Sequence, residues 1–313
     1  MRATLVAVAL ALVLAAPAAA RVNLGILGGA DRFQQLTGQD SAVRHVIVGW
    51  GQGQTYGSNF QSLLGTLSPI PMLGFGTVGW GGQLTPLQIA RGRGDAYLFA
   101  MNNAVSVWGK FIYVRPMGEM NGHWNPYCAF TADGRSKGPQ YATSAFRKAF
   151  ARIYVILHGG PEPEVDAKLR RLGLPPVGRD LLPNPAPTLK IVWNPQGYGS
   201  PDVPGNAAED YYPGDRYVDV VGDDLYDIRG KAEFAAADAL YRAHPSKPFA
   251  FPEWGLWGLD DPAFVRKMAQ WVRTHQRTEL LSYFNSRPGS RFDLASKPKS
   301  AAAYRTVILP LGA

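Results

Sequence analysis

Eight short apolar runs alternate with stretches of helical spacing along the chain, and that alternation narrows the class of fold before any single residue is weighed. The candidate strands are Val22–Leu27, His45–Trp50, Ile70–Phe75, Phe111–Met117, Leu189–Trp193, Val218–Leu225, Pro248–Phe251 and Leu280–Phe284. Between them, helical spacing falls on Asp31–Gln39, Ser58–Leu67, Ala96–Trp108, Tyr141–Leu157, Ala232–Ala243 and Pro262–Thr274, with a last helix over Ala295–Val307. Strand–helix alternation implies a parallel sheet with helical crossovers. Eight repeats at this length predict an α/β chain folded as one (β/α)8 TIM barrel, which typically takes about 250 residues. A doubly wound open sheet is the alternative, weakened because no G-x-G-x-x-G loop follows the first strand. Gly159–Pro187, with seven prolines, follows the fourth helix and belongs on the bottom of such a barrel. The segment Gln196–Asp215 follows a strand, so it belongs on the catalytic face and can shape a cleft.

A chain that is 46% hydrophobic and 18% charged is not a disordered one. Its lone cysteine, Cys128, excludes a disulfide framework, and five histidines without an HExxH pairing predict neither metal nor cofactor. Residues 1–20 carry Arg2, an uncharged run rich in Ala, Leu and Val, and an Ala18-x-Ala20 ending, which reads as a secretory signal peptide. The expected mature chain is residues 21–313, a monomer that is secreted or periplasmic and free of the membrane after cleavage. Loss of Arg2 takes the formal charge from +8 to +7. No Lys/Arg run with interleaved aromatics accompanies that charge, so nucleic acid is not the expected partner. An acidic polysaccharide is, beside the plain reading of a soluble basic surface.

Two glutamates close candidate strands: Glu119 after Phe111–Met117 and Glu253 after Pro248–Phe251. In a barrel the reactive groups sit at the C-terminal strand ends. By alternation Glu119 shares a face with Arg115 and Met117, and Glu253 shares one with Phe249 and Phe251, which would aim both into the barrel. Two carboxyls in one mouth suit glycoside cleavage, one as acid and one as nucleophile. By residue type alone, each reads equally well as an exposed strand-end carboxylate.

The flanking residues bear on that choice. Arg115-Pro116-Met117-Gly118-Glu119-Met120-Asn121-Gly122-His123-Trp124 resembles the acid/base motif of glycoside hydrolase family 26, whose best-known members are β-mannanases. Phe33–Gly38, Ile89–Gly92 with Asp95–Tyr97, Tyr211–Asp215 with Val218–Tyr226, and Lys247–Glu253 resemble further stretches of that family in the same order. The resemblance implies a retaining double displacement with Glu119 as acid/base, Glu253 as nucleophile and Tyr226 hydrogen-bonded to the nucleophile. It places Asn121 and Trp124 beside the acid/base, Trp193 and Asn194 at the same mouth, and Tyr283 where the family often has an aromatic sugar platform. Arg115, inside the barrel, must be paired, in a structural ion pair or in one that tunes the carboxyls. Two departures stand out. Gly118 replaces a histidine usual before the acid/base, and Asn125-Pro126-Tyr127-Cys128 replaces an aromatic cluster. The first weakens the expectation of mannan as substrate. The implied substrate is a β-linked polysaccharide, whether scavenged or the cell's own exopolymer, and the rival reading is a carbohydrate-binding protein that has lost turnover.

Overall fold

A computed structural model describes residues 21–55, 58–79 and 82–313, so the leader expected over residues 1–20 lies outside it. Eight parallel strands pair in chain order: β1 (Asn23–Gly28), β2 (Val43–Trp50), β3 (Ile70–Gly79), β4 (Ile112–Pro116), β5 (Leu189–Trp193), β6 (Val220–Ile228), β7 (Phe249–Trp257) and β8 (Thr278–Asn285). Pairing of β8 with β1 closes the sheet into a barrel. The expected (β/α)8 architecture is therefore the one observed.

The barrel has two apolar layers. Val43, Met72, Tyr113, Val192, Val220, Ala250 and Leu280, one from each strand after β1, pack together in the interior. On β1 that space is left by Gly25, where a Cβ would lie 3.1 Å from that of Ser282 and 3.2 Å from that of Val43. The alternate residues face outward and pack beneath the helices. The helix Pro262–Thr274 illustrates how the sequence builds that layer. Asp261 caps it by accepting from the N–H groups of Ala263 and Phe264, Pro262 opens it, and Phe264, Val265, Met268, Trp271 and Val272 form one buried stripe.

Three expectations need correction. Strand β7 does not stop at Phe251 but runs to Trp257, through the glutamate it was expected to end before. The last helix is broken: Pro298 can open a helix but cannot sit inside one, so a short helix begins there and runs into a π-turn at Tyr304–Ile308. Gly159–Pro187 contains a helix over Glu162–Arg171, whose Pro163 lies in the first turn, where its missing N–H costs nothing. That segment runs from the end of the helix Thr143–His158 to the start of β5, opposite the strand ends that carry the glutamates. The connection from β5 to β6 is loop with two 3-10 turns, and it lies at the C-terminal mouth.

Candidate active site

Neither glutamate reaches the mouth by simple strand alternation. Strand β4 ends at Pro116, and the next residues form a tight turn in which Met117 and Glu119 both take left-handed φ, 49° and 53°. Such a conformation costs a non-glycine residue roughly 1 kcal/mol. It is held by Met117 N–H donating to the Phe75 carbonyl at 2.8 Å and Glu119 N–H donating to the Asn194 carbonyl at 2.6 Å. On β7 the alternation itself is interrupted. Phe249 and Phe251 pack outward on Trp271, so they do not share a face with Glu253. The register of β7 slips against both neighbours around Phe251–Trp254. Pro252 has no N–H for the ladder, and the resulting bulge turns Glu253 inward. The Glu253 N–H donates to Asp224 Oδ1 at 3.0 Å instead.

Arg115 is the hub beneath the pair. Its guanidinium bridges Glu253 and Asp224, and all three are buried. Tyr226 donates its hydroxyl to Glu253 Oε2 at 2.6 Å. Burial works against ionising Glu253, but the charge of Arg115 and the Tyr226 hydrogen bond outweigh it and hold the carboxyl below its ordinary value. Glu119 lies differently. Trp124 Nε1–H donates to its Oε2 at 2.7 Å, and the Gln196 amide donates to its Oε1. Burial first, then the negative Glu253, push the Glu119 carboxyl above its ordinary value, against the pull of Arg115. Burial likewise raises Asp224 well above the carboxylate range, and raises Asp223 to about 8. His45, below the pair, donates Nδ1–H to the Pro252 carbonyl at 3.2 Å and is pushed down to about 3, chiefly by burial and then by Arg115. The site thus holds two carboxyls displaced in opposite directions, one suited to carry a proton and one to stay charged.

The remaining candidates divide between the cleft and its scaffold. Trp124 is half exposed and lines the cleft with Tyr226. Asn121 is fully buried and binds no open surface. Its amide donates to the carbonyls of Gln196 and Tyr198 and accepts from Gln196 N–H, fastening the β5–β6 loop to the turn that bears Glu119. Asn194 is also fully buried and holds the Glu119 backbone through its carbonyl. Trp193 and Tyr283 are not at the cleft. Both face outward from the sheet, Trp193 against Tyr212 and His244, and Tyr283 against Phe33 and Trp254. The aromatic surface falls instead to Trp257, Phe284 and Phe292, grouped around Tyr226. Asp224 and Gln196 were missed from the sequence. Asp224 carried a signal, being two residues before Tyr226 on an apolar strand, whereas nothing local marks Gln196.

Glu119 and Glu253 lie where two hollows meet. The larger, about 770 Å³, extends over β6, β7 and β8, and the smaller, about 310 Å³, over β2 and β3. Among the described residues no group of three or more His, Cys, Asp or Glu is arranged to hold a metal ion.

No protein-family model matches the chain. Endoglucanase H of Acetivibrio thermocellus is 22% identical over 291 residues, which is 88% of this chain but only 28% of that protein's length. Among solved structures, a Bacillus subtilis mannanase superposes with a TM-score of 0.60 at 20% identity, over 92% of this chain and 86% of its own. A GH26 β-mannanase from Bacteroides ovatus does so with a TM-score of 0.56 at 15% identity, over 93% and 88%. By its fold, then, the chain is a (β/α)8 barrel similar to those of these two mannanases.

Proposed function

We propose that the chain is a retaining glycoside hydrolase of family 26 type that cleaves a β-linked polysaccharide, of the mannan, glucan or bacterial exopolymer kind, within the polymer. The observation that carries this reading is the placing of two carboxyls in one cleft with different partners, Glu253 on Arg115 and Tyr226 and Glu119 on Trp124 and Gln196, surroundings that favour a proton on Glu119 and a charge on Glu253. The mannanase and endoglucanase names of its relatives support the substrate class.

In the first step a Glu253 oxygen attacks the anomeric carbon and forms an ester bond. The glycosidic C–O bond breaks, and the leaving oxygen takes the proton of Glu119. In the second step Glu119, now a carboxylate, takes a proton from water as that water attacks the anomeric carbon. The ester bond then breaks, and Glu253 is again a free carboxylate. Trp124 and Gln196 hold Glu119 in place for both transfers. Arg115 and Tyr226 keep Glu253 charged and aligned. The leader-like residues 1–20 support action outside the cytoplasm.

The test is the anomeric configuration of the first-formed product, read by proton NMR during hydrolysis of a β-linked oligosaccharide. A β-anomer formed first supports the scheme, and Glu253→Ala should lose at least about a thousandfold in kcat while giving an α-glycosyl azide when azide is supplied. An α-anomer formed first overturns retention. Binding of polysaccharide with no turnover under any condition leaves the rival reading, a carbohydrate-binding protein.

A further inference from the structure

The two hollows that meet at the glutamates differ in charge. Apart from the carboxyl pair and Arg115, the smaller one is lined by uncharged residues such as Ile47, Gly74, Phe75 and Thr77. The larger carries Arg229, Lys231 and Arg291 on its wall. These three side chains are exposed, and none takes part in an ion pair among the described residues. Glu233 is the one carboxylate on this wall outside the cluster at the barrel mouth.

The backbone that carries these cations is set by the fold. Ile228 and Lys231 exchange both backbone hydrogen bonds, at 3.3 and 3.1 Å, around a two-residue turn. Arg229 and Gly230 occupy that turn with φ of 56° and 78°. A turn of this kind favours Asn or Gly at both positions, so an arginine sits there at a conformational cost. The turn projects Arg229 and Lys231 from the end of β6. Arg291 approaches from the β8 side, its guanidinium carbon 5.4 Å from the centroid of the Trp257 ring, while its carbonyl accepts from Gly258 N–H at 2.8 Å. Trp257, Phe284 and Phe292 line the same hollow as these cations and pack edge-on around Tyr226. Aromatic side chains suit a sugar ring, and cations without an ion-pair partner in the same hollow suit a charged substituent on that ring.

We infer that this arm of the cleft takes a sugar bearing an anionic substituent, a uronate carboxylate or a sulfate, with Arg229, Lys231 and Arg291 facing the charge. The inference rests on the reading of the cleft as a polysaccharide site.

The test uses a panel of β-linked uronate-containing polysaccharides, each beside its own carboxyl-reduced form, which keeps the linkage and loses the charge. Sulfated oligosaccharides beside their desulfated forms make the second arm. The readout is the ratio of kcat/KM for the charged polymer over its neutral twin. A ratio of tenfold or more that falls toward one in Arg229→Gln/Lys231→Gln/Arg291→Gln and in 0.5 M NaCl supports the inference, and the arm in which it appears tells carboxylate from sulfate. Arg273→Gln, on the exposed side of the helix Pro262–Thr274, should leave the ratio where it was and so separates the arm from the net charge. A ratio near one in the wild-type protein overturns the inference and leaves the hydrolase reading intact. If no polymer of the panel is cleaved, calorimetric binding of the same pairs decides the inference, and the hydrolase reading is decided by the anomer test above. A tenfold preference for the charged twin that the triple variant loses supports the inference, and equal or absent binding overturns it.

Discussion

Gly118 carries no side chain because Arg115 fills the space one would need. A Cβ at position 118 would lie 2.6 Å from both Nε and Nη2 of that guanidinium. Arg115 cannot move aside freely, since its two ends are committed to Asp224 and Glu253. The missing histidine is thus tied to the arrangement of the charge cluster rather than being a simple vacancy in a subsite. Gly118→Ala should lower kcat/KM by about tenfold or more, roughly 1.4 kcal/mol, and move the acidic limb of the pH–rate profile to higher pH as Glu253 loses its cation. Gly118→His should do the same and gain no mannan turnover; restored mannan cleavage would show that Arg115 has another place to go. In the proposed mechanism the basic limb belongs to Glu119. Trp124 Nε1–H stabilises its ionised form, so Trp124→Phe should raise the Glu119 value further and shift the basic limb upward by about 0.5–1 pH unit, with the acidic limb unmoved. A basic limb that stays in place would assign it to some other group.

At the scale of elements, the start of the loop from β5 to β6 is fastened to the turn of Glu119 by the Asn121 side chain. The Asn121 amide makes three hydrogen bonds to that loop, of 2.8, 3.1 and 2.8 Å, in a fully buried position. Truncation to alanine strands one N–H and two carbonyls, which predicts a loss of about 2–4 kcal/mol in urea unfolding. Activity should fall with it, because Gln196 leaves Glu119. Unchanged stability would mean that water replaces the amide at no cost. The elements also show what could and could not be read beforehand. The eight strands and the bounds of the helix Pro262–Thr274 were legible because burial and period leave a plain record in the residue types. Tyr283 and Phe284 were legible in principle, since alternation from the inward Leu280 puts Phe284 in the barrel mouth and Tyr283 outside it. Placing Glu253 was another matter. Pro252 announces an interrupted ladder, but the direction in which a bulge turns the next side chain depends on both flanking strands. The turn at Glu119 is similar, because its left-handed backbone is held by acceptors on β3 and after β5, far away in the chain.

For the whole molecule, the charge cluster links catalysis to acid stability through His45. This side chain leaves β2 and reaches across the barrel to the Pro252 carbonyl, which is the backbone of the β7 bulge. Its Nε2 is buried and finds no partner among the described residues. Burial, then the nearby Arg115, lower its value from 6.5 to about 3, so the folded protein keeps a neutral imidazole where the unfolded chain takes up a proton. Between those two values the unfolded state binds one proton more than the folded state. The contribution of His45 to stability is therefore lost as pH falls from 6.5 toward 3, by up to about 1.4 kcal/mol per pH unit. Other groups titrate over the same range, and a comparison of slopes removes their share. Urea unfolding of the wild-type protein and of His45→Asn at pH 6.5 and pH 4.5 should give a stability that falls by about 2 kcal/mol more in the wild type, whatever the variant costs at pH 6.5. Parallel slopes would mean that the imidazole takes a proton without unfolding the barrel, and that Arg115 and the β7 bulge can rearrange to admit a second cation beneath the glutamates.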